Sequence, residues 1–237
     1  DLNIVSIVKS ITKYAVMVTD ENRIRYELEK AYWLAKSGRP GAVLLDIPID
    51  IQFKEVDPKK LEGFVPSEVF DEKIVMTDVV NLIKCAKRPI ILLGGGVRIG
   101  NAQDEVRAFA ALTNIPIVST LNGLDVVKGT YGFAGLHGNT FSNMAVQNAD
   151  LLMAFGVRFG QRQVGKAPKS YTQARVVHVD IDEKELGRIF SDEVSIKMDL
   201  KKFLFQLNDE IKQVGLPDQK TWHEKIRGWV AQYRANA

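Results

Sequence analysis

The stretch Ile90-Ile91-Leu92-Leu93-Gly94-Gly95-Gly96 decides the fold. Four apolar residues follow one another with no polar alternate, then stop at three glycines. A strand with one wet face alternates apolar and polar positions. A short continuous run fits a strand covered on both faces, as in a parallel sheet. Lys87-Arg88-Pro89 leads into it, and the spacing before that predicts a helix over about 77–86. Downstream the alternation of helix and strand repeats. A helix is predicted at about 102–113, with Val106, Phe109, Ala110 and Thr113 on one side. The strand Ile115-Pro116-Ile117-Val118 follows, then a glycine-rich loop from Asn122 to Asn139 and a helix at about 140–148. Leu151 to Phe155, Val176 to Asp180 and Val194 to Lys197 read as three more strands. This pattern predicts an α/β fold, a doubly wound, Rossmann-like parallel sheet with helices on both faces. From about residue 200 an amphipathic helix gives way to Gly215, Pro217 and a last helical stretch with Trp222, Ile226 and Trp229. Unless it packs on something outside this chain, that last stretch reads as a tether.

Upstream the pattern is thinner. Residues 1–18 show no clear turn-bounded strand, as in Ile4-Val5-Ser6-Ile7-Val8. Asp20 is an N-cap candidate for a helix with Ile24, Leu28, Ala31 and Ala35 on one face. Gly38 and Pro40 stop it, and Gly41 to Asp46 reads as a buried strand ending at Pro48. One helix and one strand cannot bury a core alone. They are expected to be the tail of a domain whose beginning is missing. Residues 53–70, with Pro58, Gly63 and Pro66, read as a linker.

Bulk properties exclude several classes. The net charge is +3 and the basic residues are spread along the chain, so the concentrated basic face of a nucleic-acid binder is absent. No apolar run is long enough to span a bilayer, and no stretch reads as a signal peptide. The lone Cys85 cannot form an internal disulfide, which points to a reducing, cytoplasmic setting. It lies in an apolar helical stretch and is expected to pack in the core. His137, His178 and His223 show no metal-ligand spacing.

Open parallel sheets bind ligands beyond the carboxyl ends of their strands. Gly94-Gly95-Gly96-Val97-Arg98-Ile99-Gly100 stands after the first such strand, where glycines let backbone amides approach a diphosphate. A plain tight turn is the alternative. Gly94 and Gly96 fit the dinucleotide fingerprint, but Ile99 occupies its last position. Ser119-Thr120-Leu121 replaces the acid that an NAD ribose requires, which disfavours an NAD site. Gly156-Val157-Arg158-Phe159-Gly160-Gln161-Arg162 offers two guanidinium groups suited to phosphate oxygens. In His178-Val179-Asp180-Ile181-Asp182, Asp180 could accept ribose hydroxyls, whereas Asp182 reads better as the cap of the next helix. Gly135-Leu136-His137-Gly138 adds a fourth glycine-flanked loop, with His137 as a lining or a structural residue.

These residues carry a resemblance to the acetolactate synthase-like family of thiamine-diphosphate enzymes. Ile11-Thr12-Lys13-Tyr14 and Lys36 to Pro48 resemble the end of that family's pyrimidine-binding domain. Arg88-Pro89 through Gly96, Ile115 to Leu121, Gly135 to Gly138, Asn148 to Leu152, Gly156 to Phe159 and His178 to Asp182 resemble its central domain, in order. The resemblance divides the chain into residues 1–52 (C-terminal part of the pyrimidine domain), a linker at 53–72, the central domain at 73–212, and 213–237 leading towards a missing third domain. It implies a parent enzyme that decarboxylates a 2-keto acid and transfers the activated aldehyde, with thiamine diphosphate and Mg2+ bound outside this piece. The full-length protein is then expected to be a cytoplasmic homo-oligomer, and this fragment to be inactive alone. In the acetolactate synthase branch the central domain also holds FAD, without net redox. Carried over, the contacts are Gly94, Gly95, Thr120, Leu121, Leu136, His137, Gly156, Arg158, Arg162 and Asp180. No catalytic and no metal residue is assigned. The branch usually reads G-A-R-F-D-D-R-V-T-G, and here Gly160-Gln161 replaces the two acids and Gln163-Val164 follows the arginine. A sister enzyme acting on another 2-keto acid, a domain binding ADP, and a spacer and subunit-docking domain without nucleotide stay open.

Overall fold

The computed structural model describes residues 2–66, 76–190 and 194–234. The expected linker beyond residue 66, the first residues of the expected central domain (73–75) and the last three residues lie outside the described residues. Two compact units divide the chain, residues 1–70 and 71–237.

In the first unit α1 (Ile4–Val8) is capped by the Asn3 side chain and leads to β1 (Tyr14–Met17). Asp20 caps a 3-10 turn at Glu21–Arg23, which runs into α2 (Ile24–Lys36). β2 (Val43–Asp46) pairs in parallel with β1, Tyr14 opposite Val43, and α3 (Ile49–Gln52) follows. The helix and strand read from the sequence therefore have a strand partner, within residues that showed no turn-bounded strand. β2 is half-buried rather than buried. Leu28, expected on the inward face of α2, is 50% exposed, while Ala31 and Glu27 are buried. The Tyr14 hydroxyl donates to the Glu27 carboxylate at 2.5 Å and Arg23 pairs with it, so this inward acid is satisfied. Part of the expected linker is docked. The Phe64 amide donates to Glu29 at 2.7 Å, and its ring meets Tyr26 and Trp33.

The second unit carries α4 (Met76–Cys85), β3 (Pro89–Leu93), α5 (Gly96–Ile99), α6 (Gln103–Thr113) and β4 (Ile117–Ser119). Next come α7 (Thr140–Gln147), β5 (Leu151–Phe155), α8 (Gln161–Val164), α9 (Pro168–Tyr171) and β6 (Arg175–Asp180). β7 (Val194–Lys197), α10 (Leu200–Lys212) and α11 (Lys220–Arg234) complete it. The strands form one parallel sheet in the order β4-β3-β5-β6-β7. This is the doubly wound α/β fold.

Side-chain alternation explains the continuous apolar runs. Ile91, Leu93, Met153, Phe155, Val177 and Val179 point to one face, with α4, α6 and α10. Ile90, Leu92, Leu152, Ala154 and Val176 point to the other, with α7, α9 and α11. Ile90 to Leu93 are all 0% exposed. Burying each such side chain is worth about 1.5–3 kcal/mol. β4 begins two residues later than expected because Pro116 has no N–H to give the ladder; its carbonyl accepts from Ile91 instead. Cys85 does not pack in the core. Inward positions of α4 run Met76, Val79, Val80 and Ile83, and Cys85 falls off that stripe into solvent. The final helix is no loose tether: Trp222 and Ile226 are buried, and the Trp222 indole donates to the Pro89 carbonyl at 3.0 Å.

Candidate functional site

In the order β4-β3-β5-β6-β7 the chain leaves β3 towards β4 on one side and later returns to β5 on the other. The crevice beyond β3 and β5 is thus the topological switch point, where open sheets bind ligands. The register aligns the strand ends: Ser119 lies opposite Leu93, Leu93 opposite Phe155 and Phe155 opposite Val179. One residue further, Thr120, Gly94, Gly156 and Asp180 form a row across four strands. At about 4.8 Å between strands the row spans about 14 Å.

The amides in this row continue the sheet. Gly94 N–H donates to Phe155, Thr120 N–H to Leu93 and Gly156 N–H to Val179, at 2.8–3.0 Å. These three donors do not point at a ligand. Gly96 N–H donates to the Gly156 carbonyl at 3.1 Å, and the two glycine loops touch. A Cβ on Gly94 would stand 2.0 Å from the Gly156 carbonyl oxygen, and Gly156 itself holds φ +60. Close packing of one loop on the other therefore accounts for Gly94, Gly96 and Gly156. Gly95 differs: its N–H has no partner among the described residues.

Around the row stand exposed apolar side chains: Leu121 at 61%, Leu136 at 60% and Ile181 at 38%. His137 is exposed beside Leu136. Their loop is strapped down. Asn143 donates to and accepts from the Gly135 backbone at 2.9 and 2.8 Å, and Leu136 N–H donates to the Arg162 carbonyl. Arg162 is exposed on α8 and has no acidic partner among the described residues. Arg158 is different: its guanidinium donates to Glu185 at 2.8 Å, and Arg188 joins Glu185 and the Arg158 carbonyl. Burial pushes the Glu185 carboxyl up, but the hydrogen bonds from the two arginines outweigh it and hold the group below its ordinary range. Glu185 and Arg188 escaped sequence reading, because a charged turn after a strand looks like ordinary surface.

Asp180 closes the row. Burial raises its carboxyl above the ordinary range, against the Asp182 amide and nearby His178, which lower it. Asp182 caps the turn at Glu183–Glu185, accepting from Lys184 N–H. Buried His178 donates through Nε2 to the Val157 carbonyl at 2.7 Å, and its ring meets Phe159, which holds φ +46. Such a φ is costly for a bulky residue, so His178 and Phe190 packing keep the Arg158 loop in a strained shape. Across the neighbouring loops Arg98 pairs with Asp125. Arrayed this way, the crevice offers a guanidinium, a carboxylate, one amide and an apolar rim. That set can bind and orient an anionic ligand with an apolar part, and among the described residues it contains no acid–base pair poised for chemistry. The first unit separately has a groove of about 330 Å³ lined by Ile24, Leu28, Ile47, Ile51 and Val56, and it holds none of the candidate residues.

Residues 76–207 match the family described as thiamine pyrophosphate enzyme, central domain. Acetolactate synthase 2, chloroplastic, of Nicotiana tabacum is 36% identical over 246 residues, covering 98% of this chain and 37% of the relative. Acetolactate synthase large subunit of Corynebacterium glutamicum is 36% identical over 244 residues, 98% of this chain and 39% of its own length. Acetolactate synthase, chloroplastic, of Arabidopsis thaliana is 38% identical over 221 residues, 86% and 32% respectively. The chain spans between 32% and 39% of the length of these relatives. It belongs to the thiamine pyrophosphate enzyme family and carries that family's central domain at residues 76–207.

Proposed function

We propose that this chain is the central nucleotide-binding-type module, with the tail of a pyrimidine-binding domain, of a thiamine-diphosphate-dependent 2-keto acid decarboxylase and carboligase like acetolactate synthase. Continuity carries this reading: similarity to acetolactate synthases runs through 86–98% of the chain, across both compact units. When bound, thiamine diphosphate with Mg2+ supplies the electron sink for decarboxylation, outside this chain. The residues here bind and orient rather than transfer protons, so the chain alone is inactive. FAD fits the crevice through Arg162 for its diphosphate, Asp180 for a ribose hydroxyl, the Gly95 amide, and the apolar rim of Leu121 and Leu136. The protein acts in the cytoplasm as a homo-oligomer, on a small 2-keto acid.

Two measurements on the full-length protein test this. Fluorescence titration with FAD should show saturable binding; none sinks the flavin part. Release of CO2 from pyruvate or another 2-keto acid should require thiamine diphosphate and Mg2+; its absence across a panel of 2-keto acids sinks the enzyme class. A second reading, a spacer and docking domain without nucleotide, draws support from the amides of Gly94, Thr120 and Gly156, all engaged by neighbouring strands. It predicts no FAD or ADP binding alongside full 2-keto acid decarboxylation.

A further inference from the structure

The Gln163 side chain is buried, with the residue 8% exposed. In the short α8, Gln161 and Arg162 face solvent while Gln163 and Val164 face inward. The Gln163 amide nitrogen has two hydrogens and donates both, one to the Ala134 carbonyl and one to the Tyr171 hydroxyl, each at 2.5 Å. Tyr171 is buried, and that burial pushes its phenol up, so it stays a neutral hydroxyl. Ala134 is wholly buried and immediately precedes the Gly135-Leu136-His137-Gly138 loop. Asn143 of α7 and Asn139 just before it hold the same loop, through the Gly135 backbone and the Phe133 amide. The loop's exposed tip is therefore held between two clamps, and the residue next to Gln163 is Arg162, with its exposed guanidinium.

We propose that Gln163 is a positioning residue of the crevice. Through Ala134 it fixes the Leu136–His137 tip relative to the Arg162 guanidinium, so that an anionic ligand with an apolar part meets cation and apolar contact at one set separation. The ligand half of this inference rests on the nucleotide reading above. A leucine at 163 fills similar volume but leaves the Ala134 carbonyl and Tyr171 hydroxyl buried without this donor. Removing both ends of a buried hydrogen bond costs less than removing one. The double variant Q163L/Y171F therefore relieves the hydroxyl without restoring the clamp on Ala134.

The test uses the full-length protein, with hydrogen exchange of the 131–139 segment and titration with FAD and ADP. Q163L should speed exchange in that segment about tenfold or more, leave exchange in 151–155 unchanged, and weaken FAD about fivefold or more. Y171F should leave loop exchange and affinity within about twofold. Q163L/Y171F should recover part of the thermal stability lost in Q163L, but neither loop protection nor affinity. Unchanged exchange in 131–139, or faster exchange spread equally over 151–155, overturns the positioning role. Selective loop loosening without FAD or ADP binding in the parent protein supports the clamp and overturns the nucleotide reading. Should Q163L not fold, Q163N, one methylene too short to reach both acceptors, takes its place with the same expected outcomes.

Discussion

Two parallel sheets lie in this chain, and they differ in burial. In the five-stranded sheet every residue of β3 and β5 is buried; in the two-stranded sheet none of β1 or β2 is. The first unit leaves Leu2, Ile7, Ile11, Leu28, Tyr32, Ile49 and Phe53 exposed. Both sheets obey the same pairing rules, so hydrogen bonding does not separate them. Cover does. A parallel sheet needs packing on both faces, and the first unit's own residues supply it only in part. The second unit meets that need with α4, α6 and α10 on one face and α7, α9 and α11 on the other.

Equal chemistry at unequal burial gives the largest expected contrast. Leu152→Ala in β5 should cost about 2–5 kcal/mol, as full burial and cavity formation dictate. Leu28→Ala on exposed α2 should cost under about 0.5 kcal/mol. Chemical denaturation of the full-length protein measures both, and a large cost at Leu28 would mean that another part of the protein covers that face. Gly94→Ala comes next. Its added methyl meets the Gly156 carbonyl oxygen rather than a side chain that could swing aside, so about 1–3 kcal/mol or more should be lost.

Asp180 sharpens the contrast between the buried sheet and its wet rim. Burial raises its folded pKa, so its protonated form favours the fold. That contribution is full below the ordinary aspartate value of about 3.9 and is lost as pH rises through the raised folded value. Asp180→Asn should therefore be more stable than the parent near neutral pH, with the gain vanishing in acid; thermal melts across pH read the crossover. The smallest effect belongs to Gly160→Asp. Nothing stands within 4 Å of a Cβ at Gly160, which is the N-cap of α8. An acid there should change stability by only a few tenths of a kcal/mol, in the stabilising direction. A large loss in the melt would show that the missing acid reflects crowding.

The strands of the second unit were legible because burial on both faces leaves an unbroken apolar run that few other elements show. β1 was not, since Tyr14-Ala15-Val16-Met17 is short and only half-buried. The row of strand ends could be named residue by residue, but the use of their amides could not. Whether Gly94 N–H faces a ligand or Phe155 depends on register across 61 positions of sequence, which local pattern does not contain. Likewise Gln163 reads as one polar residue among several, and only its burial against Ala134 and Tyr171 sets it apart.

The docking of α11 also governs when the fold can be finished. The Trp222–Pro89 hydrogen bond joins residues 133 positions apart, and Trp222 with Ile226 belongs to the cluster that seals the second face of the sheet. During synthesis β3 leaves the ribosome long before its cover does. At about 5–20 residues per second roughly 7–27 seconds pass between the synthesis of β3 and that of α11, during which Ile90 and Leu92 lack this part of their cover. Contacts this distant in sequence also slow refolding. The nascent chain is therefore most exposed to aggregation in that interval, which makes it the window in which a chaperone would be needed.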